Sequence, residues 1–106
     1  MIMTKEQWLE CVGPGWHKIV EPLIDKAWEM GITIDQIKEK YGGLRFYFSG
    51  GLKITGKMFD KFMKLVDEAE ARSYLICERC GKDGKLRQDL DWILTLCDEH
   101  YLEEKK

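Results

Sequence analysis

A chain of 106 residues, 44% of them hydrophobic and 34% charged, has the material for one hydrophobic core and not for two. That balance excludes a disordered polymer and a membrane-embedded bundle, since no apolar run approaches the roughly 18 residues of a span. A formal charge of −2 weighs against tight non-specific DNA binding, which grows with the number of phosphates neutralised.

The charge is laid out unevenly. Residues 1–35 carry a net −3, residues 36–64 a net +5 and residues 65–106 a net −4. The basic middle holds Lys38, Lys40, Arg45, Lys53, Lys57, Lys61 and Lys64 against Glu39 and Asp60. It marks either a place where an anion binds or segments whose charges pair across the fold. The start, Met1-Ile2-Met3-Thr4-Lys5-Glu6, lacks the basic-then-apolar layout of a secretory signal. A cytoplasmic protein is expected, in the host cytoplasm if a phage encodes it, with no membrane partner. Four cysteines in that setting point to metal or free thiols rather than disulfides.

In chain order, Thr4-Lys5-Glu6-Gln7 has the form of a capping box and starts a short helix carrying Trp8, Leu9 and Val12. Gly13-Pro14-Gly15 stops it. Trp16, Ile19, Val20, Leu23, Ile24, Ala27 and Trp28 recur at three- and four-residue steps, predicting a second helix over about 16–30 that ends at Gly31. Pro22 either kinks that helix or opens it after a turn. Ile32-Thr33-Ile34 and Leu44-Arg45-Phe46-Tyr47-Phe48 read as strands of a hairpin turning at Gly42-Gly43. Leu44, Phe46 and Phe48 face the core, with Arg45 and Tyr47 on the other face. Ile34 and Ile37 have opposite parity, so Lys38 and Lys40 could face either way unless a bulge intervenes, and the facing of the first strand stays open. A third helix spans about 55–72, with Phe59, Phe62, Met63, Val66 and Ala69 on one side.

Cys77-Glu78-Arg79-Cys80-Gly81 is a CxxC whose glycine permits the tight turn that two thiolates need to grip one ion. After sixteen intervening residues, Cys97 and His100 stand at i and i+3 of a helix start and point the same way. Two short strands, 85–89 and 92–96, lie between the pairs. Knuckle, hairpin and helix in this order predict a treble-clef zinc finger with Cys77, Cys80, Cys97 and His100 as ligands. Four protein ligands close the shell, so the Zn2+ is structural. Cys11 is expected to be a buried helix thiol.

The expected fold is therefore α+β, with helices packed on a short antiparallel β-hairpin over 1–73 and the C-terminal treble clef over 74–106, forming one compact unit. The combination Gly13-Pro14-Gly15-Trp16, Lys38-Glu39-Lys40-Tyr41-Gly42-Gly43-Leu44-Arg45-Phe46-Tyr47, Cys77-x-x-Cys80 and Trp92-x-x-Thr95-Leu96-Cys97-Asp98-Glu99-His100 resembles a family of small phage and bacterial zinc-finger proteins along nearly the whole chain. The resemblance implies that setting and brings no assigned activity. The zinc half also resembles the treble clef of HNH nucleases. That chemistry needs histidines beyond the structural ligands, and the chain has only His17 and His100.

Three functions fit these residues. The first, preferred here, is a non-enzymatic binding or adaptor module for a protein partner. The second is a binder of a small phosphate-containing ligand or nucleotide through the basic-aromatic hairpin, Lys38, Lys40, Tyr41, Gly42, Gly43, Arg45 and Tyr47, in which cations, rings and glycine N–H groups would hold phosphate and base. A phage protein of that kind would sequester a defence signal; nucleic acid is the less favoured ligand. The competing structural account has Gly42-Gly43 only making the turn while Arg45 pairs with Glu39. The third is an enzyme with an unrecognised site, for which no catalytic residue is identified. Arg79, Lys82, Lys85 and Arg87 form a second basic cluster, expected to be a solvated finger face. His17 is expected to be a helix-start residue, and Trp8, Trp16, Trp28 and Trp92 to be core.

Overall fold

A computed structural model describes residues 2–51 and 54–106. Met1, Leu52 and Lys53 lie outside the described residues, and with them the very start of the chain and one lysine of the basic middle. Thr4 caps α1 (Lys5–Leu9) in the expected reciprocal way: its hydroxyl accepts from the Gln7 amide at 3.2 Å while the Gln7 side chain accepts from the Thr4 amide at 2.8 Å. The helix is one turn long, so Val12 lies beyond it and is buried by the chain that follows. Cys11 differs from expectation. It follows the helix and is exposed, because α1 buries no residue fully and turns this side chain to solvent.

A 3-10 turn at Pro14–Trp16 leads into α2 (His17–Met30). Pro22 sits inside this helix without ending it; the ring falls on the exposed side, away from the stripe of Ile19, Val20, Leu23, Ile24 and Ala27. Gly31 closes the helix, and β1 (Thr33–Lys40) pairs antiparallel with β2 (Gly43–Ser49). The register shifts between Ile34 and Gln36, and this bulge settles the facing that the opposite parity of Ile34 and Ile37 left open. Ile37 and Phe46 face each other and are buried.

α3 (Gly56–Ser73) packs on the inner face of this hairpin and against α2. Phe62 meets Phe48 edge-on at 4.8 Å and Phe46 at 6.0 Å between ring centres. Met63 lies outside this face and is exposed. The helix also closes the free edge of β2. The Leu44 amide donates to the Ser73 hydroxyl at 2.9 Å and the Phe46 amide to the Glu70 carboxylate at 2.9 Å, so two outward strand N–H groups are satisfied and shielded. Beyond α3, β3 (Lys85–Arg87) and β4 (Leu94–Leu96) form a second small antiparallel sheet, followed by α4 (Asp98–Glu104). The chain is thus α+β, with a Cys/His cluster beside its carboxyl-terminal helix. Its described part measures 50 × 27 × 20 Å.

Candidate metal centre and the cleft beside it

The two cysteines of the CxxC are brought round by a tight turn. The Gly81 amide donates to the Cys77 carbonyl at 3.0 Å, and the Cys77 amide to the Lys82 carbonyl at 2.8 Å. Gly81 has φ of 82°, a conformation that costs glycine little. From the other side, Cys97 caps α4, its sulfur accepting from the His100 amide at 3.5 Å. One ligand atom from each of Cys77, Cys80, Cys97 and His100 lies within 4.8 Å of the others, so these four are positioned to hold a metal ion. The Cys80 and Cys97 sulfurs stand 3.8 Å apart, and His100 Nδ1 is 3.5 Å from Cys77 Sγ and 3.2 Å from Cys97 Sγ. Sulfurs at that separation are far from the roughly 2.05 Å of a disulfide. His100 turns its other nitrogen, Nε2, toward Glu103 at 3.9 Å, the kind of outer carboxylate that orients a ligating imidazole.

The electrostatics call for a cation. Burial pushes the Cys77 thiol up, but N–H groups from Cys97, Cys80 and Arg79 outweigh it and bring the group down to about 6. The Lys82 amide pulls Cys80 down, yet burial and the sulfurs of Cys77 and Cys97 leave it above its ordinary value. Thiolates this close oppose one another's ionisation, and a bound cation removes that opposition.

Around the ligands, the finger is fastened to the rest of the chain by groups that the spacing did not announce. The Gly15 amide donates to the Glu78 carbonyl at 2.7 Å, and the Trp16 indole to the Ile76 carbonyl at 2.9 Å. A Cβ at Gly15 would stand 1.9 Å from the Cys77 carbonyl oxygen. Gly13-Pro14-Gly15-Trp16 is therefore more than a helix stop, since it seats the CxxC backbone. Glu78, between the two cysteines, is buried; its carboxylate accepts from the Thr95 amide at 2.8 Å. Burial raises its pKa, the Thr95 N–H opposes that, and the charge of Glu39 adds to it, giving about 7. Thr95, fully buried, donates its hydroxyl to the Gly42 carbonyl at 2.6 Å, and the Gly42 amide donates to Glu39 at 2.7 Å.

The hairpin residues divide accordingly. Gly42 and Gly43 are buried at this joint, not exposed. A Cβ on Gly42 would lie 2.5 Å from a Leu86 methyl, and one on Gly43 2.2 Å from the Tyr74 hydroxyl. Arg45 does not pair with Glu39; it stands opposite Lys38 and donates to the Tyr74 hydroxyl at 3.3 Å. Lys38 lies 5.8 Å over the half-exposed Tyr47 ring, and Lys40 5.6 Å over Tyr41. Lys38, Lys40 and Tyr41 form one wall of a cleft of about 340 Å³ whose other wall is Trp92, Ile93 and Leu94. Trp92 was expected in the core. It is 77% exposed, because β4 begins only at Leu94 and the preceding turn carries the indole outward. Trp28, 44% exposed, likewise leaves the core. Trp8 is partly buried at its edge, and Trp16 is fully buried.

In the second basic cluster, Arg79 pairs with Glu104, and Arg87 bridges to Asp98 at 2.7 Å while stacking 4.2 Å from the Tyr101 ring. These two arginines brace α4 rather than forming a free face. Lys82 and Lys85 are exposed. His17 does open α2; its Nε2 is buried without a hydrogen-bond partner among the described residues. No helix of the described residues is long and apolar enough to cross a membrane. Compared with protein-family models, curated proteins and solved structures, the chain finds no significant match.

Proposed function

We propose that this chain is a small, non-enzymatic binding module of bacterial or phage origin, held by one structural zinc ion in a C-terminal treble clef. The origin rests on the sequence resemblance alone. The observation that carries the zinc assignment is the ligand geometry. Zn–S bonds of about 2.3 Å and Zn–N bonds of about 2.0–2.1 Å set tetrahedral edges of about 3.8 Å between sulfurs and about 3.5 Å from sulfur to nitrogen. The cluster has 3.8 Å between Cys80 and Cys97, 3.5 Å from Cys77 to His100 and 3.2 Å from Cys97 to His100, with all four ligand atoms within 4.8 Å of one another, so two edges match and the set is a slightly irregular version of that tetrahedron. Three thiolates and an imidazole select zinc over the hard cations. With all four positions taken by protein, no place remains for a reacting water, and the only other histidine, His17, lies in α2.

Cobalt substitution tests the closed shell. The cobalt protein is expected to show the intense visible bands of a tetrahedral thiolate site, unchanged by added cyanide or azide. A spectrum that shifts with the anion means an open coordination position and a catalytic metal.

The binding partner on this account is a protein. Support comes from an apolar groove of about 470 Å³ formed by Ile2, Met3, Trp8, Trp28, Ile32, Thr33 and Ile34, where Trp28 stands exposed. Trp28→Glu should abolish capture of a partner by the tagged protein without changing its zinc content; capture unaffected by that change removes the groove from the account. A second function, binding of a nucleotide through the hairpin, is favoured by a separate observation: the cleft that places Lys38, Lys40 and Tyr41 opposite Trp92.

A further inference from the structure

The cleft between the two hairpins holds two features that folding alone leaves unexplained. Tyr41 has φ of 53°, the only non-glycine residue with positive φ among the described residues. That region is unfavourable for a side chain with a Cβ, and hairpin turns of this kind prefer Asn, Asp or Gly there. A buried ring would offset the cost by packing, but Tyr41 is 65% exposed. Across the cleft Trp92 is 77% exposed, the most expensive side chain to leave in water for no return. Strained or solvent-facing placements of this sort point to a site rather than to the core.

The charges around the rings are two lysines and the carboxylates of Glu39 and Asp91. Lys38 and Lys40 form no ion pair with any described residue. Glu39, the carboxylate in the lining, is turned to the Gly42 amide at 2.7 Å. Asp89, near Trp92 in sequence, is held by Tyr101 and Lys105; Asp91 is exposed beside the indole. What the cleft presents is the Trp92 and Tyr41 rings and two ammonium groups that no carboxylate pairs, Lys40 lying 5.6 Å over Tyr41 and Lys38 5.8 Å over Tyr47. Aromatic faces accept any nucleobase, and lysines track phosphate without fixing its orientation.

We infer that the cleft binds an unpaired nucleotide unit, its base stacked on Trp92 and Tyr41 and its phosphate held by Lys38 and Lys40. This deepens the hairpin-binding function and rests on it. The volume of about 340 Å³ is that of one such unit, supplied either as a free nucleotide or as part of a single strand. Duplex DNA is excluded because its bases are already stacked. Arg45 and the two glycines contribute to the walls and not to the ligand. Trp92 and Tyr41 reach each other's neighbourhood only because Thr95 ties β4 to Gly42, so the site depends on the zinc-loaded finger.

Fluorescence anisotropy of the zinc-loaded protein with a labelled eight-nucleotide oligothymidylate tests this, with thymidine monophosphate and a labelled glutamate-rich peptide as competitors. Trp92→Ala and Tyr41→Gly should each weaken binding about tenfold, as stacking worth about 1–3 kcal/mol per base implies. The double change Lys38→Ala with Lys40→Ala should flatten the dependence on salt by about 0.7 in log–log slope, the value for one phosphate. Zinc content and thermal midpoint are read for every variant, and glycine at 41 suits the local backbone, so a fold defect cannot imitate the result. Competition by the monophosphate at concentrations similar to those of the oligomer identifies a free nucleotide as the ligand; competition only by strands identifies single-stranded nucleic acid. Absence of binding in the zinc-loaded wild type overturns the inference while leaving the zinc module standing. Binding indifferent to Trp92 and Tyr41, or equal displacement by the acidic peptide, overturns it as well.

Discussion

Fourteen apolar residues form the buried cluster shared by α2, α3 and the first hairpin, whereas the cluster in the finger consists of Cys77, Leu96 and Cys97. The first region satisfies its strand edge with Ser73 and Glu70 and needs no help beyond burial. In the finger two of the three residues of that cluster, Cys77 and Cys97, belong to the set positioned to hold a metal, and the strands have three residues each. A core that small cannot offset the entropy of ordering its chain. On the proposed zinc site the difference teaches where the metal's binding energy would go: it would stand in for a hydrophobic core over the last third of the chain, with the Gly15–Trp16 seat joining the finger to α2.

The largest expected effect breaks the comparison at its base. Cys80→Ser, or removal of the metal by a chelator, withdraws binding energy on the order of 10 kcal/mol. Amide exchange should then become fast over 77–104 while the α2 and α3 amides remain protected. Uniform loss of protection along the chain would show that the two regions do not differ in this way. Acid has the same direction, because the ligands bind metal only when deprotonated. Zinc should leave as the pH falls from 7 toward 4, with the finger melting ahead of the helices.

Next in size is Gly15→Ala. A Cβ placed 1.9 Å from the Cys77 carbonyl forces the seat apart, at a cost of about 3 kcal/mol in stability and with weaker zinc retention. Thermal unfolding with metal release read in parallel checks both. Thr95→Val removes the hydroxyl that bonds the Gly42 carbonyl and leaves that buried acceptor without its partner, costing about 1–2 kcal/mol. Smallest of all, Trp92→Ala should change stability by less than about 0.5 kcal/mol, since the indole is exposed. A large loss there would place it in the packing after all.

The contrast also explains what the sequence made legible. Regions with a strong period were plain: the stripe of α2, the alternation of Leu44, Phe46 and Phe48, and the capping box at Thr4; the facing of the first strand was not, because one extra residue between Ile34 and Gln36 changes its parity. The four residues that come together as a possible metal site, Cys77, Cys80, Cys97 and His100, were plain too, because holding one ion needs ligands in close pairs along the chain. The contacts that join the regions were not. Glu78 sits at the variable position of a CxxC, and nothing in its spacing tells that it caps the Thr95 amide. Gly15 looked like a helix breaker, since a close approach to a residue sixty positions away leaves no periodic trace. Trp92 was assigned to the core because tryptophan favours burial, and a turn that runs over 88–93 rather than the expected 90–91 carried it outside. Tyr41 was already a binding candidate from its place in the basic-aromatic hairpin; its positive φ is what no sequence pattern showed.

The central claim is that one metal ion held by Cys77, Cys80, Cys97 and His100 is the core of the finger. Native mass spectrometry of the purified protein, with thiol alkylation before and after chelation, tests it most directly. The account predicts one zinc per chain and a single alkylated thiol, the exposed Cys11, with all four cysteines becoming reactive once the metal is removed. A metal-free chain whose Cys77, Cys80 and Cys97 react as readily as Cys11, yet whose finger amides stay protected, would contradict it.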